Sequence, residues 1–330
     1  MKLHTAAPGA LRKKVLVIQI PCLNEAATLK IAIDALPRQV PGFDEVKILI
    51  IDDGSTDGTS ELALRLGVDH IVRHPVNRGL ATAFMSGLEA ALCLGADVIV
   101  NTDADNQYCA DDIPLLTQPI LEHRADMVIG ARPIDETEHF SLIKKKLQRI
   151  GSWAVRMASQ TDVHDAPSGF RAISREAAIR INVFGGYTYT LETIIQAGLS
   201  GLVVASVPIR TNADLRPSRL VKSIASYVVR SLVTIARVLM IYRPLLVFSL
   251  LGAVPLLLGL VGGLRFAWFY AIGEGGGHVQ SVVFSAFCLT LAAIMFTIGL
   301  ISDLIATNRK LSERILRHVR QVEHRLEQLE

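Results

Sequence analysis

The sequence has little of what marks several large classes of protein. Only four cysteines occur in 330 residues, and Cys22, Cys93, Cys109 and Cys288 form neither a C-x-x-C pair nor a Cys/His cluster with the spacing of zinc ligands. The formal net charge is +3, which is too small to indicate a nucleic-acid partner. We therefore expect reduced, structural cysteines, as in a cytosolic domain, and no zinc site.

The N-terminal residues also lack the features of a secretory signal. Basic residues occur at Lys2, Arg12, Lys13 and Lys14, but no apolar segment of suitable length follows them before the first strand-like run. We expect no cleavable signal peptide, so the domain that follows should stay on the side of the membrane where it is synthesised.

Apolar runs alternate with helix-like segments between residues 15 and 130. The predicted strands are Val15–Ile20, Lys47–Ile51, His70–Arg73, Asp97–Thr102 and Met127–Gly130, and the predicted helices are Glu25–Leu36, Ser60–Arg65, Gly79–Leu94 and Asp112–Glu122. Such alternation predicts an α/β fold with a doubly wound, mainly parallel sheet. Beyond these, we predict a helix at Leu142–Ser159, a polar turn in a helical region at Asp165–Arg171 and a late strand at Leu202–Val207.

Two long uncharged segments, Leu245–Leu264 and Val279–Ile301, follow near the C-terminus. Each is long enough to cross the roughly 30 Å hydrocarbon core of a bilayer. The turn between them, Gly273–His278, contains no Lys or Arg, whereas basic residues flank the pair at its other end. The positive-inside rule therefore predicts a two-helix transmembrane hairpin with both termini in the cytoplasm. The alternative is a buried helical hairpin in a soluble domain.

Two segments next to this hairpin have helical periodicity. Pro217–Tyr242 mixes basic and apolar residues, which favours an amphipathic helix at a membrane surface over an ordinary surface helix. The tail from 315 to 329 carries apolar residues spaced four and three apart, a heptad seam of about two heptads. This seam fits a partner helix or the membrane surface equally well, and it leaves a homo-oligomer open.

Two acidic motifs follow predicted strands. Asp52 and Asp53 open a glycine-bearing turn after Lys47–Ile51, and Asp103-Ala104-Asp105 follows the apolar part of Asp97–Thr102. The carboxyl edge of an open α/β sheet is where nucleotides bind. Paired carboxylates there can hold a hard cation such as Mg²⁺ or Mn²⁺ against diphosphate oxygens. The two motifs together predict a metal–nucleotide cleft, although an isolated D-x-D turn is commonly only solvated.

The turns after the first and third predicted strands carry further polar motifs. Pro21-Cys22-Leu23-Asn24-Glu25 closes the first strand, where Pro21 is predicted to end the ladder and Asn24 to cap the next helix. Gly79, in Asn77-Arg78-Gly79, allows either close approach of a ligand or simple helix packing.

Three arginines are candidate phosphate contacts, because a guanidinium group matches phosphate oxygens bidentately. They are Arg132, Arg149 and Arg219. Any one of them fits a surface residue as well.

In this order, the motifs resemble those of family 2 glycosyltransferases of the GT-A fold. More narrowly, they are similar to polyprenyl-phosphate glycosyltransferases, the group that includes dolichyl-phosphate mannose synthase and bacterial undecaprenyl-phosphate sugar transferases. The resemblance extends over about residues 14–245. It is carried by Pro21-x-x-Asn24-Glu25, Asp52–Thr59, Asn77-x-Gly79, Asp103-x-Asp105-x-Gln107, Gly130-Ala131-Arg132, Asp165-x-x-Ser168-Gly169-Phe170-Arg171 and Ser218-Arg219-Leu220.

The resemblance implies a role for individual positions. The nucleotide would be bound by Pro21, Leu23, Glu25, Asp52, Asp53, Gly79 and Asp103. A divalent Mg²⁺ or Mn²⁺ ion would be held by Asp103, Asp105 and Gln107. Phosphates would be contacted by Arg132, Arg149 and Arg219, and catalysis would depend on Asp105, Arg132 and Asp165, the last facing the acceptor. Relatives often carry an aromatic residue at position 23, so the leucine here puts ring stacking on the base in question.

These implications describe an inverting glycosyltransferase that moves a sugar from a UDP- or GDP-sugar to undecaprenyl or dolichyl phosphate at the cytoplasmic face of a membrane. The implied organisation is an N-terminal extension (1–14), a GT-A catalytic domain (15–215), amphipathic juxtamembrane helices (216–243), two transmembrane helices (244–305) and a cytoplasmic C-terminal helix (306–330).

Two alternatives remain at this point. One is a membrane glycosyltransferase that acts on another lipid, such as a ceramide, or on a growing polysaccharide. The Q-x-x-R-W acceptor motif of polysaccharide synthases is absent, however, because Gln148-Arg149 is followed by Ile150-Gly151. The other is a non-catalytic membrane protein that binds sugar nucleotides.

Overall fold

The computed structural model describes residues 13–133, 161–183, 189–212 and 243–327, with isolated helical positions at 155, 156, 159, 229, 233, 236, 237 and 239–241. The chain forms two compact units, Met1–Leu232 and Val233–Glu330. Most of the predicted helix Leu142–Ser159 and of the amphipathic segment Pro217–Tyr242 lies outside the described residues, as do Arg149 and Arg219.

The first unit is built on a seven-stranded sheet. Its strands are β1 (Val15–Cys22), β2 (Glu45–Asp52), β3 (His70–Arg73), β4 (Val98–Asn101), β5 (Met127–Ala131), β6 (Arg171–Ser174) and β7 (Val204–Pro208). Their order across the sheet is β3-β2-β1-β4-β6-β5-β7. All neighbours pair in parallel except β6, which is antiparallel to both β4 and β5. This mixed, mostly parallel sheet confirms the predicted α/β fold class.

The central strands are buried on both faces, as near-continuous runs of Val, Ile and Leu require in a sheet covered by helices on either side. Every residue of β1 except Pro21 is buried, and all of β4 is buried. The prediction that Pro21 ends the ladder is wrong for one of its two neighbouring strands. Pairing with β4 stops at Gln19, whereas pairing with β2 continues through Cys22.

The described helices of the first unit connect these strands. They are α1 (Leu29–Asp34), α2 (Thr59–Arg65), α3 (Leu80–Cys93), α4 (Ile113–Leu121), α5 (Arg175–Arg180) and α6 (Thr190–Leu199), and a short 3₁₀ turn at Ala110–Asp112 precedes α4. The first helix is shorter than the predicted Glu25–Leu36, because residues 25–28 form turns before Leu29.

The prediction of a polar turn in a helical region at Asp165–Arg171 is wrong in part. The described residues 161–170 contain turns but no helix, and Arg171 begins β6. This four-residue strand is stabilised by pairing with β4 and β5, which are distant in sequence. Its position in the sheet therefore depends on long-range contacts rather than on a local pattern.

The second unit contains two long helices, α7 (Pro244–Ala271) and α8 (Val279–Glu327), separated by a turn and a 3₁₀ segment at Gly275–His278. Pro244–Ala271 and Gly276–Asn308 are each long and apolar enough to cross a membrane. Only 11% and 22% of their most apolar windows are buried, whereas a core hairpin of a soluble domain would be mostly buried. The two helices form a candidate membrane hairpin, and α8 continues without interruption into the predicted C-terminal helix.

Candidate active site

The predicted nucleotide and metal motifs lie at one edge of the sheet. Strands β2, β1 and β4 are parallel neighbours, so the turns after Asp52, Cys22 and Asn101 leave the sheet at the same edge. The sequence folds this way because each turn directly follows a buried apolar strand, and the polar residues begin where the strand ends.

Asp52 is fully buried and hydrogen-bonded within its own turn. One carboxylate oxygen accepts a hydrogen bond from the backbone N–H of Ser55 at 2.7 Å, and the other accepts from the Ser60 hydroxyl. Burial alone would raise the pKa of Asp52, but these hydrogen bonds outweigh it and hold the pKa below its usual value. The charged carboxylate therefore stabilises the turn between β2 and α2.

Asp53 connects the end of β2 to the turn that starts α3. Its carboxylate accepts from the backbone N–H groups of Arg78 and Gly79 at 2.9 and 2.8 Å. It also lies 2.7 Å from Nδ1 of His74, whose Nε2 is 3.0 Å from the Ser86 hydroxyl. Gly79 has a φ of 94°, which favours glycine at this position. Asp53 and Gly79, both predicted nucleotide contacts, thus form one connected turn.

The loop after β1 is tied to the turn after β2. Asn24, with φ at 55°, does not cap α1 as predicted: its side-chain oxygen accepts from the Thr56 backbone N–H at 2.9 Å. Asn24 N–H in turn donates to the Ser55 hydroxyl at 2.9 Å. The prediction is wrong because α1 begins only at Leu29 and its N-cap residue is Thr28.

The other predicted nucleotide contacts on this loop differ in exposure. Pro21 and Leu23 are partly exposed, and Glu25 is buried. The Glu25 carboxylate accepts from the Thr28 hydroxyl at 3.0 Å, and its backbone N–H donates to the Thr59 hydroxyl at 3.0 Å.

Asp103 and Asp105 leave the carboxyl end of β4 as a closely spaced pair. Asp105 Oδ1 accepts from the backbone N–H of Gln107 at 3.2 Å, and Asn106 between them has a left-handed φ of 57°. Burial, followed by the charge of Asp105, raises the pKa of Asp103 to about 7. Two carboxylates this close repel each other, and a bound cation relieves that repulsion.

Gly169 brings the backbone of the 165–171 loop against Asp103. A Cβ at this position would lie 3.1 Å from each Asp103 carboxylate oxygen and 3.1 Å from the Tyr189 hydroxyl. The Gly169 N–H donates to the Tyr108 hydroxyl at 3.0 Å, and its carbonyl accepts from Asn101 Nδ2 at 2.9 Å. A side chain at this position would therefore crowd Asp103 and Tyr189.

Arg132, which is partly buried, and Asp165, which is fully buried, form an ion pair at the same edge of the sheet. Arg132 Nε donates to Asp165 Oδ2 at 2.7 Å, and Arg132 Nη2 donates to Oδ1 at 3.0 Å. Asp165 is completely buried, and these two hydrogen bonds hold the Arg132 guanidinium group in place. The charge of Arg132 lowers the pKa of Asp103, which shows that the pair lies close enough to affect the acidic site.

Arg171, to which the sequence assigned no role, is a second cation close to this site. It is fully buried, and its Nη1 donates to the Thr193 hydroxyl at 2.7 Å and to the Thr190 carbonyl at 3.2 Å. Its guanidinium carbon lies 5.3 Å from the centre of the Tyr189 ring. Its charge also lowers the pKa of Asp103. The only sequence signal was the inclusion of Arg171 in a polar motif, because its partners on α6 are distant in sequence.

The donor set fits a hard divalent cation. Among the described residues, no group of three or more His, Cys, Asp or Glu side chains is placed to hold a metal ion. Mg²⁺ commonly takes only one or two carboxylates and completes its coordination with waters and substrate phosphates. Asp103 and Asp105 supply that number, and Gln107 lies partly exposed on the same loop. Arg149 and Arg219, the remaining predicted phosphate contacts, lie outside the described residues.

Similarity to known proteins is consistent with this site. Over about two thirds of its length, the chain is 33% identical to an uncharacterised protein of Methanocaldococcus jannaschii, covering 64% of this chain and 87% of that protein. It is 28% identical to the polyprenol monophosphomannose synthase of Mycolicibacterium smegmatis, covering 63% and 81% of the two chains. It is 30% identical to the UDP-N-acetylglucosamine–dolichyl-phosphate N-acetylglucosaminyltransferase of Methanococcus voltae, covering 60% and 86%.

The fold also matches a solved structure. Glucosyl-3-phosphoglycerate synthase from Mycobacterium tuberculosis, crystallised with Mn²⁺, UDP-glucose and phosphoglyceric acid, superimposes with a TM-score of 0.54 at 23% identity, covering 68% of this chain and 80% of that chain. This likeness establishes a shared GT-A fold. The glycosyl transferase family 2 model matches residues 17–181, which include both acidic motifs, the Arg132–Asp165 pair and β6. The chain therefore belongs to glycosyl transferase family 2 and is a glycosyltransferase.

Proposed function

We propose that this glycosyltransferase moves a sugar from a nucleotide-diphosphate sugar to a polyprenyl phosphate at the cytoplasmic face of a membrane. The observation that carries the proposal is the convergence of Asp103 and Asp105 with the Arg132–Asp165 pair at one edge of the sheet. The candidate membrane hairpin and the polyprenyl-phosphate relatives support a lipid acceptor.

The first loop and the turn after β2 would bind the nucleoside. Pro21, Leu23 and Glu25 would contact it from the loop after β1, on the side formed by Asp52, Asp53 and Gly79. The carboxylates of Asp52 and Asp53 accept hydrogen bonds from the backbone of the surrounding turns. They would therefore fix the shape of these turns around the nucleoside as well as contribute negative charge there. A UDP-sugar is favoured, because a fold neighbour was crystallised with UDP-glucose and one relative is named for a UDP-sugar.

Asp103, Asp105 and Gln107 would hold Mg²⁺ or Mn²⁺. When bound, the cation would supply positive charge to the diphosphate that leaves the sugar. Asp103 would also contact the nucleotide.

The acceptor phosphate would attack the anomeric carbon of the sugar from the face opposite the diphosphate. The new bond joins a phosphate oxygen to the anomeric carbon, the bond to the diphosphate oxygen breaks, and the nucleoside diphosphate leaves with the electron pair. A phosphate monoester, whose second pKa is about 6, is already mostly ionised at neutral pH. A strong general base is therefore unnecessary, and positioning contributes most.

Arg132 would contact a phosphate of the donor or the acceptor, with Arg149 and Arg219 as further contacts. Asp165 would act as a positioning residue, because its two-point pairing fixes the plane of the Arg132 guanidinium group.

The decisive experiment uses the full chain in lipid bilayers with a panel of radiolabelled nucleotide sugars. Undecaprenyl or dolichyl phosphate is supplied with Mn²⁺, with Mg²⁺ or with a chelator, and the lipid phase is extracted and counted. We expect label in the lipid only when both a divalent cation and a polyprenyl phosphate are present. Label in a water-soluble product, or in another lipid, would contradict the proposed acceptor.

Asp105→Ala tests the acidic site within the same assay. We expect transfer to fall at least about 100-fold, since the cation supplies several kcal/mol of charge stabilisation. Asp34→Ala is the matched control, because Asp34 is an exposed aspartate that pairs with Lys30 on α1. Wild-type turnover of Asp105→Ala with the cation present would refute the assignment of the site.

A further inference from the structure

A short segment after β7 runs along the loop that carries the proposed metal ligands. Residues Arg210, Thr211 and Asn212, here called the 210–212 segment, follow the end of β7 at Pro208. Thr211 forms an antiparallel bridge with Tyr108. The backbone N–H of Cys109 donates to the Arg210 carbonyl at 3.2 Å. The segment therefore adds a strand-like partner to the loop directly after Asp105.

Asn212 bonds to three consecutive carbonyl groups of that loop. Its backbone N–H donates to the Gln107 carbonyl at 2.8 Å. Its side-chain Nδ2 donates to the carbonyls of Asn106 at 2.9 Å and Tyr108 at 3.2 Å. Asn212 thus holds the backbone at Gln107 and at both of its neighbours.

The other end of the 210–212 segment is fixed to the start of α4. The Arg210 backbone N–H donates to Asp112 Oδ2 at 2.6 Å, and its Nε and Nη2 donate to Asp112 Oδ1 at 3.0 and 2.6 Å. Asp112 is buried, so the carboxylate to which Arg210 is bonded has a fixed position. Asn212 therefore bonds to the loop from an anchored position.

The loop includes one residue in the left-handed region. Asn106 has a φ of 57°, which asparagine adopts more readily than most residues other than glycine, and the hydrogen bonds from Asn212 to the Asn106 and Tyr108 carbonyls add to what fixes this turn. Asp105 and Gln107 flank it, and Asp105 Oδ1 accepts from the Gln107 N–H at 3.2 Å. A change in the backbone at Asn106 would move both proposed ligands relative to Asp103.

We propose that Asn212 is a positioning residue for the divalent cation, because its side-chain amide holds the Asp105–Tyr108 loop in the conformation that presents Asp105 and Gln107. This inference rests on the proposed function, in which Asp103, Asp105 and Gln107 hold the cation. Asn212 is not itself one of the proposed ligands, and it would act only through the loop. It lies outside the sequence motifs singled out above, and its position in the primary sequence, more than 100 residues after Asp105, gave no signal of this role.

The test compares Asn212→Ala and Asn212→Asp with the wild-type full chain. Mn²⁺ binding in the presence of UDP is measured by electron paramagnetic resonance, and kcat and the half-saturating Mn²⁺ concentration are measured in the lipid-extraction assay. Partners that orient metal ligands typically contribute about 10- to 100-fold to affinity, and we expect roughly tenfold weaker Mn²⁺ binding for Asn212→Ala. At saturating Mn²⁺, we expect kcat to recover to within about twofold, because the ligands themselves remain.

Asn212→Asp separates loop positioning from simple proximity to the cation. The carboxylate has the shape of the amide but cannot donate to the Asn106 and Tyr108 carbonyls. Loop positioning predicts weaker Mn²⁺ binding for this variant as well. A carboxylate that merely lay near the cation would bind Mn²⁺ more tightly through its charge, and that result would overturn the inference.

Two controls make a failure of this inference distinguishable from a failure of the proposed function. Gln118→Ala removes an exposed side-chain amide that donates to Glu122 at the end of α4, away from the loop of the proposed metal ligands, and it should leave Mn²⁺ binding unchanged. Asp105→Ala should lose Mn²⁺ binding altogether. If Asp105→Ala loses binding and Asn212→Ala does not, the inference about Asn212 is wrong and the metal site stands. If Asp105→Ala retains binding, the metal site itself is wrong.

Asn212 is exposed, so its substitution should leave the fold intact. Thermal unfolding of each variant verifies this. If Gln118→Ala loses as much Mn²⁺ affinity as Asn212→Ala, the loss in Asn212→Ala is due to general destabilisation. That result would overturn the specific role of Asn212.

Discussion

Gly169→Ala tests whether the 165–171 loop sets the position of Asp103. The added methyl group would lie 3.1 Å from both Asp103 carboxylate oxygens and from the Tyr189 hydroxyl. A methyl carbon 3.1 Å from an oxygen is closer than ordinary van der Waals contact, so the carboxylate must move by a few tenths of an ångström. The Tyr189 hydroxyl is held by Asn101 Nδ2 at 2.9 Å, which leaves Asp103 as the group that shifts.

The expected effect is larger on the cation than on the fold. Metal–ligand distances are typically held within about 0.2 Å, so a displaced Asp103 should raise the half-saturating Mn²⁺ concentration roughly tenfold, or about 1.4 kcal/mol. Over-packing a well-packed site costs about 1–3 kcal/mol, and we expect the lower end because Asp103 is partly exposed.

The assay measures Mn²⁺ binding with UDP alongside Mn²⁺-dependent transfer to the lipid phase, and thermal unfolding reports the effect on the fold. Gly276→Ala is the control, because a Cβ there meets no atom within 4 Å. If Gly169→Ala lowers the unfolding temperature but leaves Mn²⁺ affinity at the wild-type value, the loop does not set the position of Asp103 and the reasoning is refuted.

Two further substitutions test the ion pair and the first acidic turn. Asp165→Asn leaves the Arg132 guanidinium facing a neutral amide, so we expect kcat to fall at least about tenfold and stability by up to about 3 kcal/mol; an unchanged kcat would contradict a positioning role. Asp52→Asn removes charge-assisted hydrogen bonds from Ser55 and Ser60, so denaturant titration at pH 7 should show a loss of about 1–3 kcal/mol. Because the folded pKa of Asp52 is lowered, its contribution is present above the unfolded pKa of about 3.9 and disappears as pH falls through the folded value. A loss that does not change with pH would contradict this origin.

The parallel part of the fold was predictable because its signal is local. The buried parts of strands β1, β2 and β4 consist mainly of Val, Ile and Leu, with the polar Gln19 inside β1, and the polar turn begins where each strand ends. The short strand His70–Arg73 has the bounds that its sequence predicted. The two acidic motifs could then be placed at one edge of the sheet from their position after β2 and β4 alone.

The antiparallel strand β6 and its contacts with helix α6 were not predictable in the same way. Strand β6 has four residues, and one of them is the fully buried Arg171, which no hydrophobic pattern places in a core. Its charge is tolerated because it is bonded to groups of α6 and stacked near Tyr189, all distant in sequence. Long-range partners of this kind are invisible to periodicity.

The two acidic turns look alike in sequence, but their hydrogen bonding gives them different tasks. Asp52 already has its charge stabilised by Ser55 and Ser60, and its pKa is lowered, so a cation would gain little by approaching it. Asp103 has its pKa raised to about 7 by burial and by Asp105, so its charged form is the one that a cation would stabilise most. The same repulsion that makes the second pair costly without a partner favours a divalent cation there, which is the role we propose for it, whereas the first pair is proposed to shape the turn around the nucleotide.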